Sequence, residues 1–291
     1  MKVPTNLLGD SIKYYVGQLL SLYGEQEARQ LIYMLSEHYF GMDRLKHSLN
    51  PEFRLTETEL LKLHFAVKEL LQHKPIQYIT GKAWFNGRWF AVDPSVLIPR
   101  PETEEMTLKA IEVLRPISGA PRVLDIGTGS GCIAITIKLA LPQAEVLAFD
   151  IDEKALTTAK ENAKSLNANI QFMQSDVNQA AVRFSKNSLD MIISNPPYVT
   201  HKEKKLMKRN VLDWEPGLAL FVPDEDPLMF YRSIAVLAKT CLKASGRLML
   251  EINELYSDSV SALLEEKGFE RIELLEDIHG KIRIVEAAKT Q

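Results

Sequence analysis

Four consecutive residues, Asn195-Pro196-Pro197-Tyr198, have the chemistry needed to hold a planar amino group. Two successive prolines remove two backbone donors and keep the chain extended, which leaves the Asn195 side-chain oxygen and the Pro196 carbonyl oxygen to face a substrate. Each oxygen can accept one N–H of a planar –NH₂ group, while the Tyr198 ring packs over the π system of that group. The motif predicts an acceptor site for an amino nitrogen, with Asn195, Pro196 and Tyr198 as catalytic residues and Pro197 as part of that site.

A glycine-rich turn follows a short apolar run and reads Asp125-Ile126-Gly127-Thr128-Gly129-Ser130-Gly131. Glycines let the backbone turn sharply and let a ligand approach main-chain N–H groups at the start of the next helix. The next apolar run ends at Asp150, 19 residues after Gly131. An acidic residue at that place can accept hydrogen bonds from both ribose hydroxyls of a nucleoside. The turn and Asp150 together predict a cofactor that contains a nucleoside.

Two features favour S-adenosylmethionine over a dinucleotide as this cofactor. The glycines are spaced G-x-G-x-G rather than G-x-G-x-x-G, and Asp125 lies just before the turn. A carboxylate at that position would repel a pyrophosphate, whereas it can accept a hydrogen bond from the α-ammonium group of a methionine. Asp176, which follows a third apolar run, can accept from the adenine amino group or cap a helix, and the two roles are compatible.

A mostly parallel sheet is needed to bring these residues to one edge. From about residue 120, short apolar runs alternate with helical stretches, which is typical of an α/β fold with helices on both faces of the sheet. The predicted strands are 123–126, 146–149, 170–173, 189–193 and 248–252, and the predicted helices are 131–141, 153–166, 227–243 and 257–267. The runs 272–275 and 282–285 leave no room for a crossover helix, so they are predicted to form an antiparallel pair.

The chain before this sheet is predicted to be a helical domain. Apolar residues recur at helical spacing from about residue 5 to 73, and Thr56 and Glu59 have the spacing of a capping box. Pro75 ends the run, and Asn86-Gly87 then lies between two aromatic pairs, as in a hairpin with a type I′ turn. We predict a helical domain over 1–75, a β-hairpin linker over 76–97 and a Rossmann-like, seven-stranded methyltransferase domain over 98–291.

The composition excludes several other classes of protein. With 46% hydrophobic and 25% charged residues, the chain has the balance of a folded globular protein. No apolar run reaches the roughly 18–20 residues of a membrane helix, and the N-terminus lacks a signal-peptide pattern. Cys132 and Cys241 lie in apolar runs, which indicates buried thiols in a reducing compartment, and the six scattered histidines indicate no metal site. We therefore expect a cytoplasmic protein without a bound metal.

Four further segments carry recognisable patterns. They are I-P-R-P-E-T-E within Leu97–Glu104, P-x-x-Y-x-x-G in Pro75–Gly81, E-P-x-x-A-L in Glu215–Leu220 and D-x-x-G-x-x-R in Asp277–Arg283. With the N-P-P-Y motif, these segments make the chain resemble the HemK/PrmC family of protein-(glutamine-N5) methyltransferases, which modify peptide chain release factors. The resemblance spans residues 75 to 285, and the N-terminal helices match the family's small substrate-recognition bundle by position and type.

This resemblance implies a substrate and a set of site residues. The substrate is the glutamine of the Gly-Gly-Gln tripeptide in bacterial class I release factors, methylated on its side-chain nitrogen. Separately, we expect a monomer with no membrane partner and no direct nucleic-acid substrate. The residues implied to bind S-adenosylmethionine are Asp125, Gly127, Thr128, Gly129, Ser130, Gly131, Asp150, Asp176, Val177 and Asn195. The residues implied to bind substrate are Asn195, Pro196, Pro197, Tyr198, Arg100 and Glu102. At Val177 the family often has an aromatic residue that packs on the adenine.

Other functions compete with this interpretation. The amino groups of nucleic-acid bases suit the same N-P-P-Y geometry, so an adenine-N6 or cytosine-N4 methyltransferase is the alternative. That enzyme would need a basic channel for a flipped base, whereas the net charge is −3 and no target-recognition segment is evident. A non-catalytic nucleoside-binding regulator would leave Asn195-Pro196-Pro197-Tyr198 unexplained, and a dehydrogenase does not fit the glycine spacing. The basic run His201–Arg209 is interpreted as a solvated loop; contact with an acidic face of the release factor is the less favoured hypothesis.

Overall fold

The protein is described by a computed structural model that covers residues 5–180 and 183–290. The chain divides into two compact units, which are Met1–Gly81 with Lys208–Trp214, and Lys82–Met207 with Glu215–Gln291. The first unit is helical, and the second contains a seven-stranded, mostly parallel sheet with helices. The predicted α/β fold with an N-terminal helical region is confirmed.

The elements of the described residues are numbered in chain order. The helices are α1 Leu8–Phe40, α2 Arg44–Leu49, α3 Glu57–Leu70, α4 Ile76–Thr80, α5 Pro101–Leu114, α6 Cys132–Ala140, α7 Glu153–Ser165, α8 Val177–Ala180, α9 Arg209–Leu212, α10 Met229–Cys241 and α11 Ser257–Glu266. The strands are β1 Lys82–Phe85, β2 Arg88–Ala91, β3 Arg122–Ile126, β4 Glu145–Asp150, β5 Gln171–Gln174, β6 Leu189–Ser194, β7 Val199–Thr200, β8 Phe221–Val222, β9 Leu242–Glu251, β10 Phe269–Glu276 and β11 Ile282–Lys289. Short 3₁₀ turns occupy His201–Leu206, Gly217–Ala219 and Glu254–Tyr256.

The first unit is built on α1 and α3. Gly24 interrupts α1 with non-helical backbone angles, φ 71° and ψ 172°. The capping box is confirmed, because Glu59 N donates to Thr56 Oγ1 at 3.3 Å and Thr56 N donates to Glu59 Oε2 at 2.8 Å. The segment with α9 belongs to this unit, where Trp214 Nε1 donates to the Gln72 carbonyl at 3.1 Å.

The predicted hairpin is confirmed and belongs to the second unit. Asn86 and Gly87 both have positive φ, 44° and 75°, as a type I′ turn requires. The side chains of β1 and β2 alternate between two environments, as expected for strands with one buried face. Phe85 and Phe90 are buried in a hydrophobic cluster of the second unit, while Trp84 and Trp89 are about half exposed.

The central sheet has the strand order β10-β11-β9-β6-β3-β4-β5. The five strands from β9 to β5 in this order are parallel, and β11 pairs antiparallel with both β9 and β10. The predicted terminal antiparallel pair is thus confirmed. The predicted helix over 227–243 is two residues too long at each end, since α10 spans Met229–Cys241. At its carboxyl end, Leu242 already pairs with Leu189 of β6 and begins a longer β9 than expected.

Both faces of the sheet are covered by helices. In β3, Leu124 and Ile126 belong to a hydrophobic cluster with residues of α8, α10 and α11, whereas Val123 belongs to a second cluster with residues of α5, α6 and α7. Buried parallel strands read as continuous apolar runs for this reason. The carboxyl ends of β3, β4 and β6 remain as one edge, where the intervening loops can form a site.

Candidate active site

The predicted motifs meet between β3 and β6, where the order of strands in the sheet changes direction. The chain runs outward from β3 through β4 to β5 and then returns to β6, which lies on the other side of β3. In such sheets, ligands bind beyond the carboxyl ends of the strands at this switch point. The glycine-rich turn follows β3, Asp150 ends β4, and Asn195 follows β6.

The conformation of the glycine-rich turn depends on the lack of side chains. Gly129 and Gly131 have φ values of +53° and +80°, which lie in the left-handed region that glycine adopts most readily. A Cβ at Gly131 would lie 3.0 Å from Ile135 Cδ1 and 3.2 Å from Ala159 Cβ, whereas a Cβ at Gly129 would meet no protein atom within 4 Å. Gly131 is therefore needed for close packing of the turn. The absence of a side chain at Gly129 leaves open space in the cavity that this residue lines.

Asp150 is tied to the glycine-rich turn by its carboxylate. Its Oδ2 accepts a hydrogen bond from Gly129 N at 2.9 Å, and its Oδ1 accepts from Asp152 N at 3.0 Å. Burial raises the pKa of Asp150 above its ordinary value. The side chain lines the cavity beside the turn, where its oxygens suit hydroxyl donors.

A cavity of the second unit contains most of the predicted cofactor residues. Its empty volume, which includes open solvent, is about 1150 Å³, and pockets of roughly 300–1,000 Å³ hold cofactor-sized molecules. The predicted residues that line it are Gly127, Thr128, Gly129, Ser130, Asp150, Asp176, Val177, Asn195, Pro196, Pro197 and Arg100. Ile151 and Phe230 add apolar wall that the sequence analysis did not single out. The carboxylates and the apolar wall suit the ribose and adenine of S-adenosylmethionine.

Asp176 lies at the cavity and also begins a helix. Its Oδ1 accepts hydrogen bonds from Asn178 N at 2.9 Å and from Asn178 Nδ2 at 3.0 Å, just where α8 starts. This is the capping geometry that the sequence allowed alongside a contact with adenine. Val177, the next residue, is buried and contributes an aliphatic surface to the cavity where an aromatic ring is common in the HemK/PrmC pattern.

Four predicted site residues do not line the cavity: Asp125, Gly131, Tyr198 and Glu102. Asp125 is fully buried under the turn, where its Oδ2 accepts a hydrogen bond from Thr128 Oγ1 at 2.6 Å. Burial raises the pKa of Asp125 to about 7. Glu102 is partly exposed in the first turn of α5. In this structure Asp125 holds the conformation of the turn and is not on the cavity surface.

Asn195 is oriented by a neighbour from α5. Its Nδ2 donates a hydrogen bond to Thr103 Oγ1 at 2.9 Å. Because the nitrogen and oxygen of an amide point in different directions, this bond turns Oδ1 away from Thr103. Pro196 and Pro197 line the cavity next to Asn195.

Thr103 and Glu251 are two residues bonded to the candidate site that sequence reasoning missed. Thr103 Oγ1 donates to Glu251 Oε2 at 2.5 Å, and Tyr198 Oη donates to Glu251 Oε1 at 3.1 Å. Thr103 and Glu251 are 3% and 2% exposed. Two signals in the sequence could have found them. Thr103 lies between Glu102 and Glu104 in the I-P-R-P-E-T-E segment, and Glu251 ends an apolar strand, as Asp150 does.

Arg100 reaches the cavity through an ion pair with the E-P-x-x-A-L segment. Arg100 Nη2 donates to Glu215 Oε1 at 2.5 Å, and Ile98 N donates to Glu215 Oε2 at 3.2 Å. The Glu215 side chain is fully buried, while that of Arg100 is 32% exposed. The pair therefore joins two loops that both contribute residues to the cavity wall.

Comparison with known protein families gives matches over both parts of the chain. A family model described as PrmC N-terminal domain matches residues 15–81, and one described as Methyltransferase small domain matches residues 107–213. Among curated proteins, the release factor glutamine methyltransferase of Bacteroides thetaiotaomicron is 43% identical over 95% of this chain and 98% of the relative. The protein of the same name from Flavobacterium psychrophilum is 40% identical over 93% of this chain and 95% of the relative.

A solved structure supports the fold assignment. The 16S rRNA N2 methyltransferase of T. thermophilus, determined with AdoMet and guanosine, is 20% identical and gives a TM-score of 0.51 over 72% of this chain and 49% of that chain. At this identity the likeness extends to the fold alone. Over residues 5–180 and 183–290, none of the helices is both long and apolar enough to cross a bilayer.

Proposed function

This chain belongs to the release factor glutamine methyltransferase family, and on that premise we propose that it methylates the glutamine of the Gly-Gly-Gln motif in bacterial class I peptide chain release factors. The methyl group comes from S-adenosylmethionine, and the acceptor is the side-chain amide nitrogen, N5. Identity of 43% over nearly the full length of both chains supports this activity.

One observation carries the assignment of the acceptor site. Asn195 Nδ2 is occupied by Thr103, so the side chain offers an oxygen to an incoming group. The Pro196 carbonyl has no competing donor on the next residue, because Pro197 lacks an N–H. We propose that these two oxygens accept the two N–H bonds of the substrate amide. A hydroxyl acceptor would satisfy only one of them, which favours an –NH₂ group.

The cavity residues supply the cofactor site of this proposal. S-adenosylmethionine, when bound, supplies an electrophilic methyl group on a sulfonium sulfur. Asp150 would accept hydrogen bonds from the ribose hydroxyls, and Asp176 and Val177 would lie beside the adenine. The backbone of Gly127–Gly131 would approach the methionine portion, with Asp125 as support under the turn. Arg100 would contact substrate through its exposed side, while Glu102 remains a weaker candidate because it does not line the cavity.

Catalysis in this proposal rests on orientation of the acceptor nitrogen. An amide nitrogen is a poor nucleophile because its lone pair is delocalised, and two hydrogen bonds to fixed acceptors can align and partly pyramidalise it. Glu251, the carboxylate nearest to Asn195 along the hydrogen bonds, is separated from it by Thr103. The proton therefore leaves late, to solvent, without a strong general base.

A labelling experiment tests the function. The full chain is incubated with S-adenosylmethionine labelled in its methyl group and with a class I release factor, a variant of that factor with Gln→Ala in the Gly-Gly-Gln motif, or nucleic acid. We expect label only on the wild-type release factor. Label on nucleic acid would instead support a base methyltransferase, and label on the Gln→Ala factor would refute the acceptor.

Domain roles and cellular setting complete the proposal. We propose that the helical domain over 1–75 recognises the release factor, that 76–97 is the linker and that 98–291 catalyses transfer. The PrmC N-terminal domain match over residues 15–81 supports a separate helical module. The buried free thiols Cys132 and Cys241 support a reducing, cytoplasmic setting. A monomer is expected, and the run His201–Arg209 stays a candidate contact for the protein substrate.

A further inference from the structure

A buried carboxylate lies behind the acceptor site without touching the cavity. Glu251 ends β9, is 2% exposed and is absent from the cavity wall. Its two carboxylate oxygens have different partners, since Oε2 accepts from Thr103 Oγ1 at 2.5 Å and Oε1 accepts from Tyr198 Oη at 3.1 Å. One carboxylate therefore holds a residue of α5 and the last residue of the Asn195–Tyr198 motif.

The number of hydroxyl hydrogens fixes the direction of the whole chain of hydrogen bonds. Thr103 has one hydroxyl hydrogen and donates it to Glu251, so towards Asn195 it can only accept. Asn195 must then present its Nδ2 to Thr103, which it does at 2.9 Å. A reversed amide would set two acceptor oxygens against each other. An ionised Glu251 thus determines which end of the Asn195 amide faces Thr103.

We propose that Glu251 is a positioning residue for methyl transfer: through Thr103 it fixes the Asn195 amide with Oδ1 as the acceptor of the substrate N–H, and it holds Tyr198 in place. This inference rests on the proposed function, because it assigns the origin of the orientation that the acceptor site uses. It also explains why a carboxylate is kept in a buried place, where ionisation is costly.

The charged and titratable groups around Glu251 come from α5, α10, β11 and the Asn195–Tyr198 motif. Glu102 of α5 acts on it as a like charge and Arg283 of β11 as an opposite charge, although Arg283 also pairs with Asp277 at 3.7 Å. Tyr198 donates to its carboxylate, and Tyr231 of α10 donates to its backbone oxygen at 3.4 Å. Burial outweighs the hydrogen bonds and raises the pKa of Glu251 to about 7.

Protonation of Glu251 should release the constraint on Asn195. A protonated carboxyl can donate to Thr103, which frees the Thr103 hydroxyl hydrogen to donate to a reversed Asn195 amide. Both amide orientations are then allowed, and only one can accept a substrate N–H. With saturating cofactor and release factor, kcat should therefore fall as the pH is lowered through about 7.

The first test is Glu251→Gln in the full chain. Glutamine has the same shape but accepts at only one terminal atom, so it cannot satisfy both hydroxyls in the wild-type arrangement. We expect kcat to fall about 10- to 100-fold, the size of effect produced by losing a hydrogen bond to a charged group. The Kd for S-adenosylmethionine should change by less than about twofold, because Glu251 does not line the cavity. The low-pH limb of kcat should disappear.

Glu286→Gln is the matched control. Glu286 is another buried carboxylate, 1% exposed, on the adjacent strand β11, where it pairs with Arg247 rather than with site residues. A general effect of removing a buried charge would appear in both variants. We expect Glu286→Gln to keep the wild-type kcat and its pH profile.

Variants of Thr103 test the relay independently of Glu251. Thr103→Val removes the hydroxyl at constant shape and should lower kcat as much as Glu251→Gln, whereas Thr103→Ser should restore most of the activity. Because Thr103 lies between Glu251 and Asn195 on the same chain of hydrogen bonds, the double variant Thr103→Val/Glu251→Gln should be little slower than Glu251→Gln alone. Full additivity would contradict the relay.

The outcomes separate this inference from the proposed function. If the wild-type chain does not methylate release factor, the function fails. If the wild-type chain is active and Glu251→Gln keeps its kcat and low-pH limb, the inference is overturned while the function stands. Should Glu251→Gln fail to fold, Thr103→Val with wild-type kcat would overturn the inference equally.

Discussion

Alanine substitutions at the glycines of the cofactor turn should separate stability from cofactor affinity. At Gly131, with φ +80°, a methyl group would lie 3.0 Å from Ile135 Cδ1 and 3.2 Å from Ala159 Cβ. The left-handed backbone costs an alanine about 1–2 kcal/mol, and overpacking adds about 1–3 kcal/mol. A loss of unfolded-state entropy offsets about 0.4–1 kcal/mol. We expect Gly131→Ala to lower the free energy of unfolding by about 2–4 kcal/mol.

Gly119→Ala is the control for backbone strain. Gly119 is exposed, has φ +86° and would place its new methyl group within 4 Å of no protein atom, so only the strain acts there. Its expected net cost is about 1 kcal/mol or less. In calorimetry without cofactor, Tm should fall by roughly 5–15 °C for Gly131→Ala and by no more than about 4 °C for Gly119→Ala. Equal shifts would refute the packing role of Gly131.

Gly129→Ala completes the comparison. Gly129 lines the cavity, has φ +53°, and a methyl group there would meet no protein atom within 4 Å. Its stability should therefore resemble that of Gly119→Ala, while titration calorimetry should show a Kd for S-adenosylmethionine at least about 10-fold weaker, because the methyl group enters cofactor space. Unchanged affinity would show that the turn does not approach the cofactor.

Three further predictions follow from the buried polar groups. Asp150→Asn should weaken S-adenosylmethionine binding by about 10- to 100-fold in titration calorimetry, since an amide accepts at one atom only; wild-type affinity would contradict the ribose role. Arg100→Met leaves the buried Glu215 carboxylate unpaired and should lower the free energy of unfolding by about 3 kcal/mol in urea titrations, an effect that adding Glu215→Gln should largely reverse. Burial raises the pKa of Asp125 from 3.8 to about 7, so as the pH rises this carboxyl loses its proton in the unfolded chain before it does so in the folded protein. Wild-type stability relative to Asp125→Asn should therefore decline as pH rises from about 4 to about 7 and then level off, and a constant difference across that range would contradict the buried state of Asp125.

Features determined by local chemistry were predictable from the sequence. The hairpin follows from Asn86-Gly87, because both residues tolerate positive φ, and the helix start at Thr56 follows from the hydroxyl and carboxylate three residues apart. The cavity follows from the glycine turn and Asp150, since parallel strands bring their carboxyl ends to one edge.

Features that depend on distant pairs were not predictable. Thr103 and Glu251 are 148 positions apart, and Arg100 and Glu215 are 115 apart, so no spacing rule joins them. Asp125 was expected to face the cofactor, but the residue before a turn can lie above or below it, and the structure buries Asp125 against Thr128. The resemblance pointed to Arg100 and Glu102, yet it is Thr103, the residue after Glu102, that contacts Asn195.

The most direct test of the central claim is site-resolved mass spectrometry of a class I release factor after incubation with S-adenosylmethionine and either the wild-type chain or Asn195→Ala. If Asn195 and Pro196 orient the glutamine amide, the wild-type chain should add one methyl group, on the Gly-Gly-Gln glutamine alone. Asn195→Ala should bind the cofactor with near wild-type Kd but transfer the methyl group at least about 100-fold more slowly. Methylation at another residue, or wild-type turnover by Asn195→Ala, would contradict the account.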